Sequence, residues 1–424
     1  MHKRLGLTLF AGLAIFISAC SGGGATSAPA SAASAAPSTE ASVAPSSEAS
    51  APASTAASTE PSTAASTEPS TAASTEPSTP RHPPKPSTAA STEPSTAASP
   101  SAETVTCTTK VKVGLVTDVG RVNDKGFNQS AFEGMKAAEA AAPTCFETDF
   151  VETQSQSDYP SNIAGFTDSG SNVVIGVGFL LGDALGDASK ANADIKFISV
   201  DGLPGKGHDE SWMTNGESLF FAEDQAGYMA GVLAASLSKS DHIGVVGGLV
   251  VVPPVERFVE GYIDGAKSVK PAIVVDFVYT TSFVDPPQGN SAAKQMIDKG
   301  ADVIFAAGGL TGSGALEAAC QANGVFAIGV DTDQYETLPS VQKCIVSSAT
   351  KNVAGAVRDS LLRIAAGKFT PGFHTDDAST NGIGLAPFHD QASSVSADVQ
   401  KLLDTTFAGL ADKSIVPKVN IDGK

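Results

Sequence analysis

Positive charge is scarce in this chain: 27 Lys and Arg stand against 45 Asp and Glu, a formal net charge of −18. Nucleic-acid binding draws its affinity from cations that displace counterions from phosphates, so DNA and RNA are excluded as partners. Six histidines (His2, His82, His208, His242, His374 and His389) are scattered and fit no triad. There is no nucleophile elbow and no motif pairing two acids. No Cys-x-x-Cys and no His/Cys cluster occurs, so no metal and no cofactor is expected, and neither is an enzyme. The glycine stretch Gly308–Gly314 lacks the Gly-Lys-Ser/Thr that a phosphate cradle requires. Residues 21–104 contain no aromatic residue, no Leu and no Ile, and so cannot bury enough apolar surface to offset the entropy of ordering.

The chain begins with a basic stretch (His2, Lys3, Arg4), an apolar run from Leu5 to Ile17, and small residues before Cys20. The run falls short of the roughly 20 residues that span a bilayer and reads as an export signal. Ile17-Ser18-Ala19-Cys20 resembles a bacterial lipobox, which implies that Cys20 carries lipid and anchors the protein to a membrane. The octapeptide STEPSTAA begins at Ser58, Ser66 and Ser91, with a truncated copy at Ser74. Residues 21–104 are therefore read as a disordered stalk of about 50 Å mean reach.

From residue 105 onward the composition is globular, and about 320 residues exceed one ordinary core. Apolar β-branched runs alternate with helical stretches. Strands are expected at 111–117, 146–152, 173–177, 195–200, 242–246, 273–279, 303–307, 325–330 and 344–348. Helices are expected at 128–142, 223–237, 256–269, 291–299, 313–323 and 352–366. That order predicts two doubly wound parallel α/β lobes with a hinge and a cleft. Residues 105–222 with 349–424 are assigned to one lobe and 223–348 to the other. The chain is expected to cross near 222–224, near 347–350 and after the last of these helices.

Excluding Cys20, four cysteines remain, and an exported protein would pair them. A strand of about 7 residues rises roughly 23 Å, and the helix after it returns a similar distance at 1.5 Å per residue. This brings Cys145 beside Cys107, and the same reasoning brings Cys320 beside Cys344.

Ligands of open α/β sheets sit beyond the carboxyl ends of the strands, where several chemical groups fall. Asp118, Asp201 and Asp331 end strands and could accept both hydrogen bonds of a vicinal diol, or cap the adjoining helix or turn. Asp124, Phe127 and Asn128 come after the first strand, Phe283 comes after a Thr-Ser pair, and Gly308 and Gly309 open a glycine loop. Asn128 could bond a base or cap the helix. Lys351 lies between a strand end and a helix start, where it could pair with Asp331 or bond a ligand hydroxyl. Gly176–Gly182 has the wrong spacing for a dinucleotide fingerprint, and Trp212 reads as a loop anchor.

The segments VGLVTDVGRVNDKGFNQSAFEGMKAA, VIFAAGG-TGSG, IGVDTDQ and SSATK resemble the basic membrane protein family of nucleoside-binding lipoproteins, across residues 108–390. The resemblance implies a type I periplasmic-binding-protein fold and a nucleoside, with a purine preferred, handed to an ABC permease by a monomeric receptor on the extracytoplasmic face of the cell membrane. It also implies that Phe127 and Phe283 sandwich the base and that Lys351 lies in the site. Leu310, an insertion in the GG-TG loop, and Gly126, where the family often has Ser, depart from the pattern. The second reading is the same fold tuned to a sugar or another polar metabolite, for uptake or sensing.

Overall fold

The computed structural model describes residues 106–202 and 214–420. The signal segment with Cys20, residues 21–104 and Trp212 lie outside the described residues.

Two six-stranded sheets form the framework. The first has strand order β11-β5-β4-β3-β1-β2 and the second β12-β10-β9-β8-β6-β7. In chain order the first sheet takes β1 (Val111–Val119), β2 (Phe146–Thr153), β3 (Val173–Val177), β4 (Lys196–Val200), β5 (Gly216–Phe221) and β11 (Gly372–Asp376). The second takes β6 (His242–Gly247), β7 (Val274–Tyr279), β8 (Val303–Ala307), β9 (Phe326–Asp331), β10 (Ile345–Lys351) and β12 (Ile383–Leu385). All pairings are parallel except β10 with β12. The two orders match strand for strand. The lobes thus repeat one strand order, as the alternating pattern predicts, and differ in the direction of the last strand, β11 running parallel to its neighbour and β12 antiparallel.

The central strands are buried on both faces because helices cover both. Every residue of β3 and of β8 is buried, and each enclosed Val or Ile contributes roughly 1.5–3 kcal/mol. Those helices are α1 (Phe127–Ala141), α2 (Tyr159–Asp168), α3 (Gly182–Ala191), α4 (Glu223–Leu237), α5 (Pro253–Val269), α6 (Pro286–Asp298), α7 (Gly309–Gln321), α8 (Gln334–Thr337), α9 (Val353–Ala365) and α10 (Ala397–Ala411). α4 and α5 approach closely because each carries two glycines four residues apart. A Cβ on Gly231 would meet the Tyr262 carbonyl, and one on Gly265 the Tyr228 carbonyl.

The chain passes between sheets after Phe221, after Lys351, and between Asp376 and Ile383. The first two crossings fall close to the expected places. The third shows that the assignment of all of 349–424 to the first lobe needs correcting. α9 packs on α1 and β11 joins β5, but β12 then pairs with β10, and α10 packs on α4. The exposed edge of β10 is the physical reason: its free backbone groups accept a short antiparallel strand, which takes the tail with it.

Cys107 pairs with Cys145 and Cys320 with Cys344, with Cα separations of 4.9 and 5.3 Å. Both bridges sit at the amino ends of strands, opposite the ends where the aspartates gather. The second closes a span of 24 residues. Replacing Cys320 and Cys344 together with Ala is therefore expected to cost about 3 kcal/mol of stability in urea unfolding, with ligand affinity unchanged.

Candidate ligand-binding cleft

One cavity, between the carboxyl ends of the two sheets, collects the chemistry. Asp118, Asp124, Phe127, Asn128, Asp201, Phe283, Gly308, Gly309, Asp331 and Lys351 all line it. A larger groove of about 930 Å³ lies behind Asp331 and Lys351, beside β12 and α10. It is open, and the carboxylates converge in the cleft.

Asp118 ends β1. Its carboxylate accepts from Tyr159 Oη at 2.5 Å and from the Val119 N–H at 2.6 Å, and burial raises its pKa to about 6. Asp124 lines the cleft and also holds a helix start. Its Oδ1 accepts from the Gly126 and Gln129 N–H groups at 3.0 and 3.1 Å, and its Oδ2 from the Asn128 N–H at 2.9 Å. Both oxygens thus hold the start of α1, where a carboxylate also meets the positive end of the helix dipole. Asn128 neither caps nor stands free: its Oδ1 accepts the Asp118 N–H at 3.2 Å.

Asp201 and Asp331 stand at the ends of equivalent strands, β4 and β9. Both have left-handed backbones, with φ of 59° and 66°, a conformation that costs a non-glycine residue energy and that active sites retain. It turns both carboxylates toward Lys351, whose Nζ lies 2.5 Å from Asp201 Oδ2, 3.4 Å from Glu223 Oε1 and 3.7 Å from Asp331 Oδ1. All four residues are buried. Lys351 also sits 4.7 Å from the Phe127 ring centroid, with the Phe221 and Phe258 rings at 5.4 and 5.6 Å. Its pKa is raised by the three carboxylates, which outweigh burial. Burial drives Asp331 up to about 6 and Glu223 up to about 8, each partly offset by Lys351. The nearest partner of Lys351 is therefore Asp201 across the cleft, ahead of the expected Asp331.

Phe283 rests on a glycine floor, since a Cβ on Gly248 would enter its ring. Thr311 pins the loop: its Oγ1 donates to the Ser282 carbonyl at 2.7 Å and accepts the Asp285 N–H at 2.9 Å. Gly309 adopts φ of 58° to begin α7 beneath Phe283, and Leu310 faces the cavity in the first turn of that helix. A Cβ on Gly126 would stand 3.8 Å from Asp331 Oδ2, so the space a serine would fill lies beside that carboxylate.

The sequence reading missed Glu223, Phe179 and Phe258. Glu223 reads as one more acid in a first helical turn. Phe179 hides in the Gly176–Gly182 stretch, and Phe258 in the apolar period of α5. For Glu223 and Phe179 the available signal is position beside a crossing or a strand end; Phe258 has none.

The family described as ABC transporter substrate-binding protein, PnrA-like, matches residues 110–419. The ABC transporter nucleoside-binding protein BmpA of Lactococcus lactis subsp. cremoris (strain MG1363) is 34% identical over 279 residues, 62% of this chain and 78% of the relative. Basic membrane protein A1 of Borrelia garinii subsp. bavariensis is 34% identical, covering 57% of this chain and 69% of the relative. Among solved structures, an ABC transporter solute-binding protein of Aeropyrum pernix K1 superposes with a TM-score of 0.64 at 23% identity, over 73% of this chain and 94% of that one. An Actinobacillus succinogenes periplasmic solute-binding protein shares the fold, with a TM-score of 0.52 at 15% identity over 67% of this chain and all of that one. These likenesses establish the type I periplasmic-binding-protein fold. With the match over 110–419, this chain belongs to the PnrA-like Bmp family of ABC transporter substrate-binding proteins.

Proposed function

We propose that this protein is a monomeric receptor on the extracytoplasmic face of the cell membrane. It is anchored through lipid on Cys20, binds a purine nucleoside in the cleft and delivers it to an ABC permease. The observation that carries the reading is the composition of the cavity: four phenylalanines (Phe127, Phe179, Phe258 and Phe283) line it together with Asp118, Asp201 and Asp331, the last two holding the one ammonium. Aromatic faces stack a base, worth about 1–3 kcal/mol each. Carboxylates accept paired hydroxyl donors such as a ribose diol. A phosphate would meet carboxylates with a single Lys and no Arg among the lining residues, so the site favours a nucleoside over a nucleotide. A sugar would use the carboxylates but not four rings. Among the described residues lining the cleft none is arranged as a nucleophile with its base, which supports binding rather than catalysis.

In this reading Asp331 and Asp118 receive the ribose hydroxyls with Asp201 and Lys351 beside them, and Phe127 and Phe283 flank the base. One Phe127 face carries the Lys351 ammonium, leaving the other to stack. Asp124 and Asn128 hold Phe127 and Asp118 in place, while Gly308 and Gly309 allow close backbone approach. The cavity holds about 80 Å³, well below the roughly 300 Å³ of small ligand sites, so the ligand enters as the lobes part.

The test is mass spectrometry of small molecules retained by the purified protein, followed by calorimetry. A ribonucleoside is expected to bind more tightly than its free base, its 2′-deoxy form and its 5′-monophosphate. Equal affinity for base and ribonucleoside would overturn the ribose assignment, and preference for a hexose would replace the nucleoside.

A further inference from the structure

Two chain crossings bracket a buried charge cluster that is out of balance. Glu223 opens α4 directly after the first crossing, and Lys351 closes β10 directly before the second. With Asp201 and Asp331, three carboxyl groups face one ammonium, and none of the four residues is more than 8% exposed. Fully ionised, the cluster would hold two uncompensated negative charges away from water, which is unfavourable enough that a group takes a proton instead.

The geometry indicates which one. Asp201 holds the ammonium most closely, at 2.5 Å, and its buried Oδ1 has no hydrogen-bond partner among the described residues. Asp331 also lines the cleft. Glu223 lies outside the residues lining the cleft, with a longer contact of 3.4 Å to Lys351. The charges facing it are Lys351 from β10, Asp201 beyond β4 and Arg257 from α5, the last already 3.5 Å from Asp224. Burial, with Asp201 adding to it, raises the Glu223 carboxyl to about 8.

We propose that Glu223 is a protonated positioning residue for the ligand site: neutral, it leaves the single ammonium to Asp201 and Asp331, and ionised, it draws Lys351 away from them and weakens ligand binding. The proton comes from solvent and stays on the Glu223 carboxyl when ligand is bound. This rests on the nucleoside reading above and adds a proton to it.

The experiment is calorimetric titration of wild type and Glu223→Gln with adenosine and guanosine, from about pH 7 to about pH 9.5, in buffers of different ionisation enthalpy. The wild type is expected to bind about tenfold more weakly at the upper end and to take up a proton on binding at about pH 8. Glu223→Gln, which mimics the neutral acid, is expected to hold its affinity within about twofold across that range and to take up none. A pH-independent wild type, or a variant that retains the wild-type profile, would overturn the proposal. Carboxyl-carbon NMR of the ligand-free wild type gives a second readout: Glu223 is expected to titrate near 8, and titration in the ordinary carboxylate range overturns the proposal whether or not the variant folds. Absence of binding by either nucleoside at every pH, with Glu223 still titrating near 8, would instead fault the nucleoside reading.

Discussion

Asp331→Asn is expected to weaken nucleoside binding at least about tenfold, because ribose hydroxyls lose their ionised acceptor in a closed, water-poor site. Asn is the informative replacement. Asp331 has φ of 66°, and Asn tolerates that left-handed backbone where Ala does not. Asp331→Ala should therefore lose affinity similarly and lose about 1–2 kcal/mol of stability as well. Calorimetry gives the affinities and urea unfolding separates the second effect from the first. Wild-type affinity in Asp331→Asn would place the diol elsewhere, with Asp118 the next candidate.

Lys351→Met is expected to have the larger effect on the fold, a loss of about 3–5 kcal/mol from stranding buried carboxylates without their cation. Met keeps the packing, since the ammonium already sits among the Phe127, Phe221 and Phe258 rings. The pH dependence comes from the raised acids. Asp331 and Glu223 have folded values near 6 and 8, above their ordinary ones, and loss of the ammonium removes what holds them down. A carboxyl whose folded pKa is raised contributes stability that is fully present below its unfolded value and lost as pH rises through the folded one. Lys351→Met should thus approach wild type below about pH 4.5 and fall progressively behind above it. Urea unfolding at several pH values checks this, and a variant equally stable at acid and neutral pH would contradict the cluster's charge state.

The central apolar strands were legible because parallel strands covered on both faces read as continuous Val and Ile runs, and nine of the twelve strands in the described residues were recognised. β5 was missed because Glu217 and Ser218 interrupt it. Glu217 is buried against Arg363, Ser360 and His374, partners that no local pattern announces. β11 and β12 are edge strands, too short and too polar for a periodic signal. α2, α3, α8 and α10 were not assigned, α8 being a single turn and the first two brief and rich in Gly, Pro or Ser. All ten candidate site residues line the cleft because strand ends are identifiable from sequence. What hydrogen-bonds to what was not legible: that Asp124 holds a helix start, and that Asp201 rather than Asp331 is closest to Lys351, depend on how the two sheets face each other.

The three crossings bear on the order in which this protein can be completed. The first sheet lacks its edge strand until residues 372–376 emerge, and α9, which covers α1, is likewise made after the whole second sheet except β12. As the chain is synthesised amino terminus first, neither lobe can finish as a unit ahead of the other, unlike proteins whose domains fold in sequence. Partly synthesised chains therefore carry an unpaired β5 edge beside a nearly complete second lobe, an exposed template for wrong pairing until residues 372–376 arrive.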